Sequence, residues 1–486
     1  MFRKILLGFF VLLTVLVVVL VINAYRTSSR QIEVKAIPSV DIPANAFEHL
    51  SKAITLRTIS YSRTASVDTN AFKGLHRYFK STFPLVHSQL KREVINELSL
   101  LYTWKGTDSR LKPVLLTAHL DVVPIEKGTE QNWTHPPFSG NINGGYIWGR
   151  GALDDKMNAL GMLEAVEYLL KKGYTPKRTI LLAFGHDEEV SGYRGAQKIA
   201  DHLAKRNTKL EYVLDEGLFI LEGQMPGVAA PVAYVGVAEK GYANVKISVA
   251  SPGGHSSRPT TQTAVGILSQ AIVNLEKEQF DASIEGATKE MMDYLAPEMS
   301  TPYKLAFANR WLFNPVIKKI MLGKSTTSAV LRTTTAPTIL KGSPKSNVLP
   351  ANPSAIINLR LKPGETKATI LRHFKDAIGD DRVKVEIQAD EFNLPVPMSD
   401  LRSKSFKNLQ KTIRQLFPES VVAPALMVGG TDSKYYRDLS KNIFRFTPLL
   451  LPVKDIDGLH GTNERVSKKG YQQLIRFYVQ LIKNSD

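Results

Sequence analysis

The chain has 486 residues, 43% of them hydrophobic and 22% charged, a composition typical of globular proteins. It has no cysteine, which excludes disulfides and thiolate metal sites and leaves histidine and carboxylate side chains as ligands for any metal. The formal net charge is +18, but the basic residues are scattered and no nucleic-acid-binding motif is present. We therefore expect two domains, no nucleic-acid partner, and affinity for an anionic membrane surface.

The first element is an uninterrupted uncharged run over residues 5–24. At helical rise it spans about 30 Å, one hydrocarbon core, and it is longer than the apolar part of a usual signal peptide. Residues 1–30 are therefore predicted to be an uncleaved membrane anchor and residues 31–44 a linker. Basic residues flank the run on both sides and leave its orientation open. We expect a single-pass protein with its catalytic part on the non-cytoplasmic side, or a secreted form if the anchor is cleaved.

Three apolar runs of strand length are each followed by potential metal ligands. These are residues 114–118 with His119 and Asp121, residues 180–184 with Glu188 and Glu189, and residues 212–214 with Asp215. Such runs are typical of buried parallel strands, and ligands bind beyond the carboxyl ends of these strands. One acidic turn alone is usually just solvated, but crowded carboxylates at one edge repel each other unless a cation lies among them. The threefold pattern predicts a metal site.

A glycine-rich turn lies between the first two of these strands. It reads Gly149-Arg150-Gly151-Ala152-Leu153-Asp154-Asp155-Lys156, and apolar residues then recur at helical spacing at positions 160, 163, 166 and 170. The turn therefore predicts the start of an amphipathic helix. Asp154 would lie at its N-terminus, on the same rim as the strand ends.

The pattern changes after residue 237. Strands are predicted over 242–249, 334–340, 355–361 and 383–388, with helices over 263–275 and 366–377 and a long insertion reaching about residue 324. This order is close to β-α-β-β-α-β, a small antiparallel sheet with helices on one face. We predict that residues 240–392 form a lid and dimerisation domain inserted between two parts of a catalytic domain, 45–239 and 393–486.

Together these motifs resemble the M20 metallopeptidases. The resemblance rests on the residues named above, on Gly253-Gly254-His255-Ser256-Ser257 and on His460, and it covers about residues 45–484. Residues 118–124, 185–189, 332–335 and 459–464 are most similar to the carboxypeptidase S and PM20D1-like branch. The implied fold is α/β, a zinc-peptidase-like catalytic domain with a mixed sheet and helices on both faces, plus an inserted α+β, ferredoxin-like lid.

The resemblance also implies roles for the residues at the rim. Two Zn²⁺ ions per chain, replaceable in vitro by Co²⁺ or Mn²⁺, would be held by His119, Asp154, Glu189, Asp215 and His460, with Asp154 bridging. Asp121 would orient His119, and Glu188 would be the general base. Spacing alone leaves open which of Glu188 and Glu189 is the ligand, and the order in the family decides it. A cis peptide bond between Asp154 and Asp155 is a further expectation.

Three residues of the predicted lid receive roles from the same resemblance. His255 would stabilise the oxyanion of the tetrahedral intermediate, although an exposed loop histidine usually has no function. Arg360 would bind a free carboxylate of the substrate with its bidentate fork, and the alternative is a surface arginine. Asn347 would contact the same substrate.

The predicted function is a membrane-anchored di-zinc amidohydrolase that cleaves, or reversibly forms, the amide bond of N-acyl amino acids, including N-fatty-acyl ones. The alternatives are a carboxypeptidase S-like carboxypeptidase or dipeptidase acting on small peptides, and a non-catalytic binding protein on the same scaffold. An apolar-aromatic stretch over residues 303–321 is interpreted either as packing in the lid core or as an acyl-chain groove. A homodimer through the lid stays open.

Overall fold

The computed structural model describes residues 1–35, 37–38 and 40–486, without the side chains of residues 453 and 454. Its helices are α1 Phe2–Arg26, α2 Ala46–Ile54, α3 Thr69–Thr82, α4 Pro84–Gln89, α5 Lys156–Lys171, α6 Ala196–Lys205, α7 Ala264–Lys277, α8 Gly286–Leu295, α9 Thr301–Ala308, α10 Arg310–Leu322, α11 Ser325–Ala329, α12 Lys367–Ile378, α13 Lys404–Leu416, α14 Val453–Ile456 and α15 Lys468–Asn484.

Among the described residues, the strands form an eight-stranded sheet, a four-stranded sheet, a three-stranded sheet and one two-stranded pair. They are β1 Lys91–Ile95, β2 Ser99–Trp104, β3 Val114–His119, β4 Ile142–Asn143, β5 Tyr146–Trp148, β6 Ile180–Gly185, β7 Val213–Leu221, β8 Val232–Glu239, β9 Gly241–Val249, β10 Gly254–His255, β11 Thr334–Lys341, β12 Val348–Leu349, β13 Ser354–Leu361, β14 Val383–Asn393, β15 Val421–Met427, β16 Ile443–Leu451 and β17 Arg465–Ser467.

The catalytic domain is built on an eight-stranded mixed sheet in the order β1-β2-β6-β3-β7-β16-β8-β15. Strands β3 and β6 are parallel and buried along their whole length, because their Val, Leu, Ile, Ala and Phe side chains are covered on both faces. Helices α5 and α15 pack on one face, and α6 packs on the other. The register pairs His119 with Gly185, so the two strands end together.

The lid is a four-stranded antiparallel sheet in the order β11-β13-β9-β14, covered by α7 and α12. Buried and partly exposed residues alternate along β9, and the buried set 243, 245, 247 and 249 faces the two helices. Helix α12 begins with a capping box between Thr366 and Thr369 and ends at Gly379, whose φ of 63° suits glycine. The predicted fold class is therefore confirmed.

The insertion that contains α8 to α11 does not belong to the core of the lid. Tyr294 of α8 packs edge-on against Phe406 of α13 at 6.1 Å, and Leu295 and Met299 belong to the core of the catalytic domain. Apolar residues in a sequence do not say which of two cores they join. Phe307 of the 303–321 stretch packs against the same core, and the lid boundaries 240–392 stay a prediction.

Helix α1 covers the apolar run at the N-terminus. It is long and apolar enough to cross a membrane by length and composition, and no residue in its most apolar part is buried. Its C-terminal end is tied to the catalytic domain, since Arg30 forms an ion pair with Glu290 at 3.0 Å and Gln31 exchanges two hydrogen bonds with the backbone of Val422.

The chain enters and leaves the lid through adjacent segments. Glu239 and Val396 form an antiparallel bridge, and the Ser399 N–H donates to the Val237 carbonyl at 2.8 Å. Gly241 lies at this hinge so closely against the returning chain that a Cβ there would be 2.4 Å from the Asn393 carbonyl oxygen. Only glycine fits this close approach of two backbones.

We expect Gly241→Ala to lower the thermal unfolding midpoint, because the backbone at the hinge must shift to admit the methyl group, at a cost of about 1–3 kcal/mol. The matched control is Gly266→Ala in α7, where the nearest atom to a Cβ is Thr263 Oγ1 at 3.5 Å. Alanine there should be neutral or stabilising because of its helix propensity. Differential scanning calorimetry of both variants in one detergent is the measurement, and equal shifts would contradict the hinge packing.

Candidate active site

Strand ends and one helix N-terminus bring the ionisable residues to one rim. His119 is the last residue of β3, and Glu188 and Glu189 lie in the turn that follows β6. Asp154 lies in the turn that opens α5, and its peptide bond to Asp155 is cis, as the resemblance implies. Since the carboxyl ends of parallel neighbours share one edge of the sheet, the side chains converge there.

Asp154 is shared between two groups of potential ligands. Its Oδ1 lies 2.8 Å from Nε2 of His119, and its Oδ2 lies 3.1 Å from Nε2 of His460. Glu216 Oε1 lies 3.3 Å from the same nitrogen of His119, and Glu189 Oε2 lies 3.0 Å from that of His460. In each group of three the ligand atoms lie within 4.8 Å of one another.

The electrostatics of these groups fit divalent cations. Burial raises the pKa of Glu189 to about 7, and repulsion from Asp154 adds to the effect. Burial also raises the pKa of Glu216 well above its usual value. Among the described residues, the buried Oε1 of Glu189 has no hydrogen-bond partner. Carboxylates and imidazoles of this kind, with one shared carboxylate, suit a pair of divalent ions, which would remove the repulsion.

Asp121 holds both the histidine and the acidic turn. Its carboxylate accepts the backbone N–H groups of Glu188 at 3.1 Å and Glu189 at 3.3 Å. The Nδ1 of His119 lies 2.9 Å from the Asp121 carbonyl oxygen and 3.4 Å from its carboxylate. A proton on Nδ1 donated to this carbonyl leaves Nε2 free to bind a metal. The sequence predicted that Asp121 orients His119. In the structure the closer contact to His119 comes from the backbone carbonyl of Asp121 and not from its carboxylate.

Glu216, and not Asp215, lies in the ligand group. The two oxygens of Asp215 accept the backbone N–H groups of Ser433 at 2.7 Å and of Glu216 at 2.9 Å. Successive side chains of a strand point to opposite faces of the sheet, so only one of the two carboxylates faces His119. The sequence reasoning missed Glu216, although this alternation was the signal that could have raised the question.

A buried ion pair between Arg150 and Glu464 joins the Asp154 turn to the loop of His460. The sequence reasoning did not identify this pair. Glu464 Oε1 accepts the N–H groups of Leu153 at 2.7 Å and Asp154 at 3.2 Å, and its Oε2 accepts from Arg150 at 2.7 Å. The other Nη of Arg150 donates to the His460 carbonyl at 3.2 Å. Both charges are compensated, and the pair fixes two ligands relative to each other.

Two of the predicted lid residues lie together. His255 is exposed on β10, which pairs with β12, and the Ser256 N–H donates to the Asn347 carbonyl at 3.1 Å. The Nδ1 of His255 accepts the N–H of Ser257 at 3.1 Å, so the proton of a neutral ring lies on Nε2. The structure does not bring His255 or Asn347 into the ligand groups.

Arg360 lies between the lid and the catalytic domain. It pairs in register with Tyr242 of β9, and its guanidinium carbon lies 5.1 Å from the centre of that ring. A Cβ placed on Gly430 would lie 4.0 Å from Arg360 Nη1. Gly430 belongs to the 429–433 turn, in which the Ser433 N–H donates to the Asp215 carboxylate. The guanidinium is thus at the lid side of the turn beside the ligand groups.

Histidine and carboxylate clusters around a shared aspartate, at the carboxyl ends of parallel strands below an inserted α+β lid, define a metal-binding hydrolase of the α/β peptidase class. The family profile of peptidase family M20/M25/M40 matches residues 115–484. The chain belongs to this family, and it is an enzyme of the M20 peptidase and amidohydrolase class.

Two curated relatives are similar over nearly the whole chain. "Probable carboxypeptidase S-like 2" of Dictyostelium discoideum is 42% identical over 489 residues, 98% of this chain and 93% of the relative. "N-fatty-acyl-amino acid synthase/hydrolase PM20D1" of Xenopus tropicalis is 40% identical over 442 residues, 90% of this chain and 85% of the relative. The M20 family metallo-carboxypeptidase Sso-CP2 of Sulfolobus solfataricus shares the fold, with a TM-score of 0.64, 18% identity and coverage of 90% and 99%.

The positions of the two neighbouring carboxylates predict different effects on metal binding. Glu216→Gln should lower the bound divalent metal, because its oxygen lies beside His119 Nε2, whereas Asp215→Asn should keep the metal content of the unchanged protein, since the Asp215 carboxylate is engaged by the backbone N–H groups of Glu216 and Ser433. The measurement is zinc content by elemental analysis after dialysis, with circular dichroism as the check on folding. Loss of an ion from Asp215→Asn but not from Glu216→Gln would reverse the assignment.

Proposed function

We propose that the protein is a membrane-anchored amidohydrolase with two zinc ions that cleaves, or reversibly forms, the amide bond of N-acyl amino acids. The observation that carries the proposal is the Asp154 carboxylate shared between the His119 and His460 groups, with Glu188 next to the ligand Glu189 in the turn after β6. The 40% identical relative named as an N-fatty-acyl-amino acid synthase/hydrolase supports the substrate class. The exposed apolar helix α1 supports anchoring as a single pass. The position of the catalytic domain on the non-cytoplasmic side is part of the proposal.

The ligands proposed for the two ions are His119, Asp154, Glu189, Glu216 and His460. Bound zinc would supply an acidified water and a polarised amide carbonyl at this site. Glu188 takes the proton from the attacking water and delivers it to the nitrogen of the leaving amine. Its backbone is held by Asp121, so the carboxylate is positioned by the same residue that orients His119.

The lid supplies the groups for the substrate. The Nε2–H of His255 donates to the oxyanion that forms at the carbonyl, with Asn347 beside it. Because His255 lies on an exposed edge, it reaches the amide by movement of the lid or from a partner subunit, and the homodimer stays a prediction. Arg360 binds the free carboxylate on the amine side of the amide, for which its planar fork is suited.

Replacement of the proposed base should separate chemistry from metal binding. Glu188→Gln keeps the shape of the side chain but cannot accept the proton, so kcat should fall about 10²–10⁴-fold while zinc content and fold are retained. Asp154→Ala is the contrasting variant, since it removes the shared ligand and should lose metal. Near wild-type turnover by Glu188→Gln would show that the roles of the acidic residues are assigned wrongly.

The alternative function is that of a carboxypeptidase S-like enzyme acting on small peptides. The 42% identical relative is named as a probable carboxypeptidase S-like protein, and the same catalytic groups would cleave a peptide bond next to a C-terminal carboxylate. The two functions differ in what lies on the acyl side of the scissile bond.

Acyl-chain length distinguishes the two functions. We expect kcat/KM to be higher by orders of magnitude for an N-oleoyl amino acid than for its N-acetyl analogue, because each buried CH₂ contributes up to about 0.8 kcal/mol. A Gly-Leu dipeptide is the third substrate, and all three are compared with the zinc-loaded enzyme in one detergent. Equal rates for acetyl and oleoyl substrates, or a preference for the dipeptide, would favour the carboxypeptidase.

A further inference from the structure

The hairpin formed by α9 and α10 exposes a large apolar surface. Trp311, Leu312, Val316 and Ile320 of α10 are 62%, 38%, 55% and 68% exposed. Residues 312, 316 and 320 follow each other at intervals of four, so they lie along one side of the helix. Ile317 is buried and holds the helix to the protein. A contiguous exposed apolar face of this kind marks an interaction surface.

The hairpin is fixed to the end of α1 by a buried asparagine. Asn309 lies between α9 and α10, and its Nδ2 donates to the Leu20 carbonyl of α1 at 2.9 Å. Its Oδ1 accepts from Asn23 Nδ2 at 2.8 Å and from Trp311 Nε1 at 3.3 Å. These bonds place the start of α10 beside the last turns of α1.

The contact with α1 sets the depth of the hairpin relative to a bilayer. The uncharged run of α1 covers residues 5–24, so Leu20 and Asn23 lie at its C-terminal end, where hydrocarbon gives way to headgroups. Tryptophan and tyrosine are enriched at this level of membrane proteins. Trp311 and Tyr303 of the hairpin, both exposed, are thus at the depth that such residues favour.

The charge of the hairpin suits an anionic lipid surface. Residues 301–324 contain five basic residues, at positions 304, 310, 318, 319 and 324, and neither Asp nor Glu. A cavity of about 420 Å³ lies between the end of α1 and the hairpin, and Arg26, Arg30, Arg310, Trp311 and Asp293 are among its lining residues. Arg30 is paired with Glu290 and Asp293, and Arg310 is paired with Asp293. Among the described residues, the exposed positive charge at the cavity and on α10 outside these ion pairs is therefore that of Arg26, Lys318 and Lys319. Exposed basic side chains at this level face the layer of lipid phosphates.

We propose that α9 and α10 form a second membrane-contacting element, in which the apolar face of α10 lies in the interfacial layer of a bilayer containing anionic lipids. Arg26, Lys318 and Lys319 then face the headgroups. The inference deepens the proposed anchoring by α1. It also restricts the tilt of the catalytic domain over the membrane, because a second membrane contact limits how α1 and the domain attached to it can tilt together. Short amphipathic helices with basic residues and tryptophan bind in this layer.

The absence of cysteine allows a direct test in the full-length chain. Val316→Cys carries one environment-sensitive fluorophore, and the protein is reconstituted into phosphatidylcholine vesicles with or without phosphatidylserine. Lipids with a nitroxide at a shallow acyl position serve as quencher. Val273→Cys in α7 is the matched control, since it is an exposed valine of the lid helix, 40% exposed. Val17→Cys in α1 reports separately on the anchor.

The label at position 316 should be blue-shifted and quenched several-fold more than the label at 273, with the larger effect in phosphatidylserine vesicles. An aqueous, unquenched label at 316 while the label at 17 is quenched would overturn the proposal. Energy transfer between labelled chains without quenching by lipid would assign the face to a second copy of the protein instead. Quenching at position 316 but not at 17 would support membrane contact by the hairpin and contradict anchoring by α1. None of these measurements depends on enzymatic turnover.

Equal quenching with and without phosphatidylserine would overturn the assignment of Arg26, Lys318 and Lys319 to anionic headgroups. The salt dependence gives a second reading of the same point, because attraction of exposed basic residues to a charged surface weakens as ionic strength rises.

Discussion

The crowding of buried carboxylates around Asp154 is the constraint on which the site depends. Asp154, Glu188, Glu189 and Glu216 lie at one rim, and burial raises the pKa of Glu188 to about 8. Such a cluster persists only if cations, imidazoles and backbone N–H groups compensate it. The surrounding structure provides these groups: Asp121 accepts the N–H groups of the acidic turn, and the Arg150–Glu464 pair connects the Asp154 turn to His460.

A second buried ion pair supports the turn next to the site. Arg445 Nε donates to Glu239 Oε2 at 2.6 Å, and the same oxygen accepts from the Thr431 hydroxyl at 3.0 Å. Glu239 is also the last residue of β8 before the chain crosses into the lid. The carboxylate therefore connects the lid hinge, the 429–433 turn and the central strand β16, and it orders the side of the site where Arg360 lies.

The features of the fold and of the site that could be predicted from the sequence are those marked by a pattern among neighbouring residues. Apolar runs ending in His119 and Glu188 predicted strand ends, because continuous apolar patterns and abrupt polar stops reflect burial directly. To predict the position of Glu216, one must know which face of β7 points to the rim of the site. A shift of one residue in register would place Asp215 there instead. The placement of α8 against Phe406 depends on contacts between residues more than a hundred positions apart, which leave no local pattern.

The interlocking of the two domains limits how the lid can move. The chain enters the lid at Gly241 and returns to the catalytic core through residues 278–285. It enters the lid again through residues 330–333 and leaves it after Asn393. Lys240 Nζ donates to the carbonyls of Ala329 and Arg332, which joins the first crossing to the third. Segments 278–285 and 330–333 are therefore two further connections between lid and catalytic core, in addition to the hinge at Gly241, and any rotation of the lid has to accommodate both.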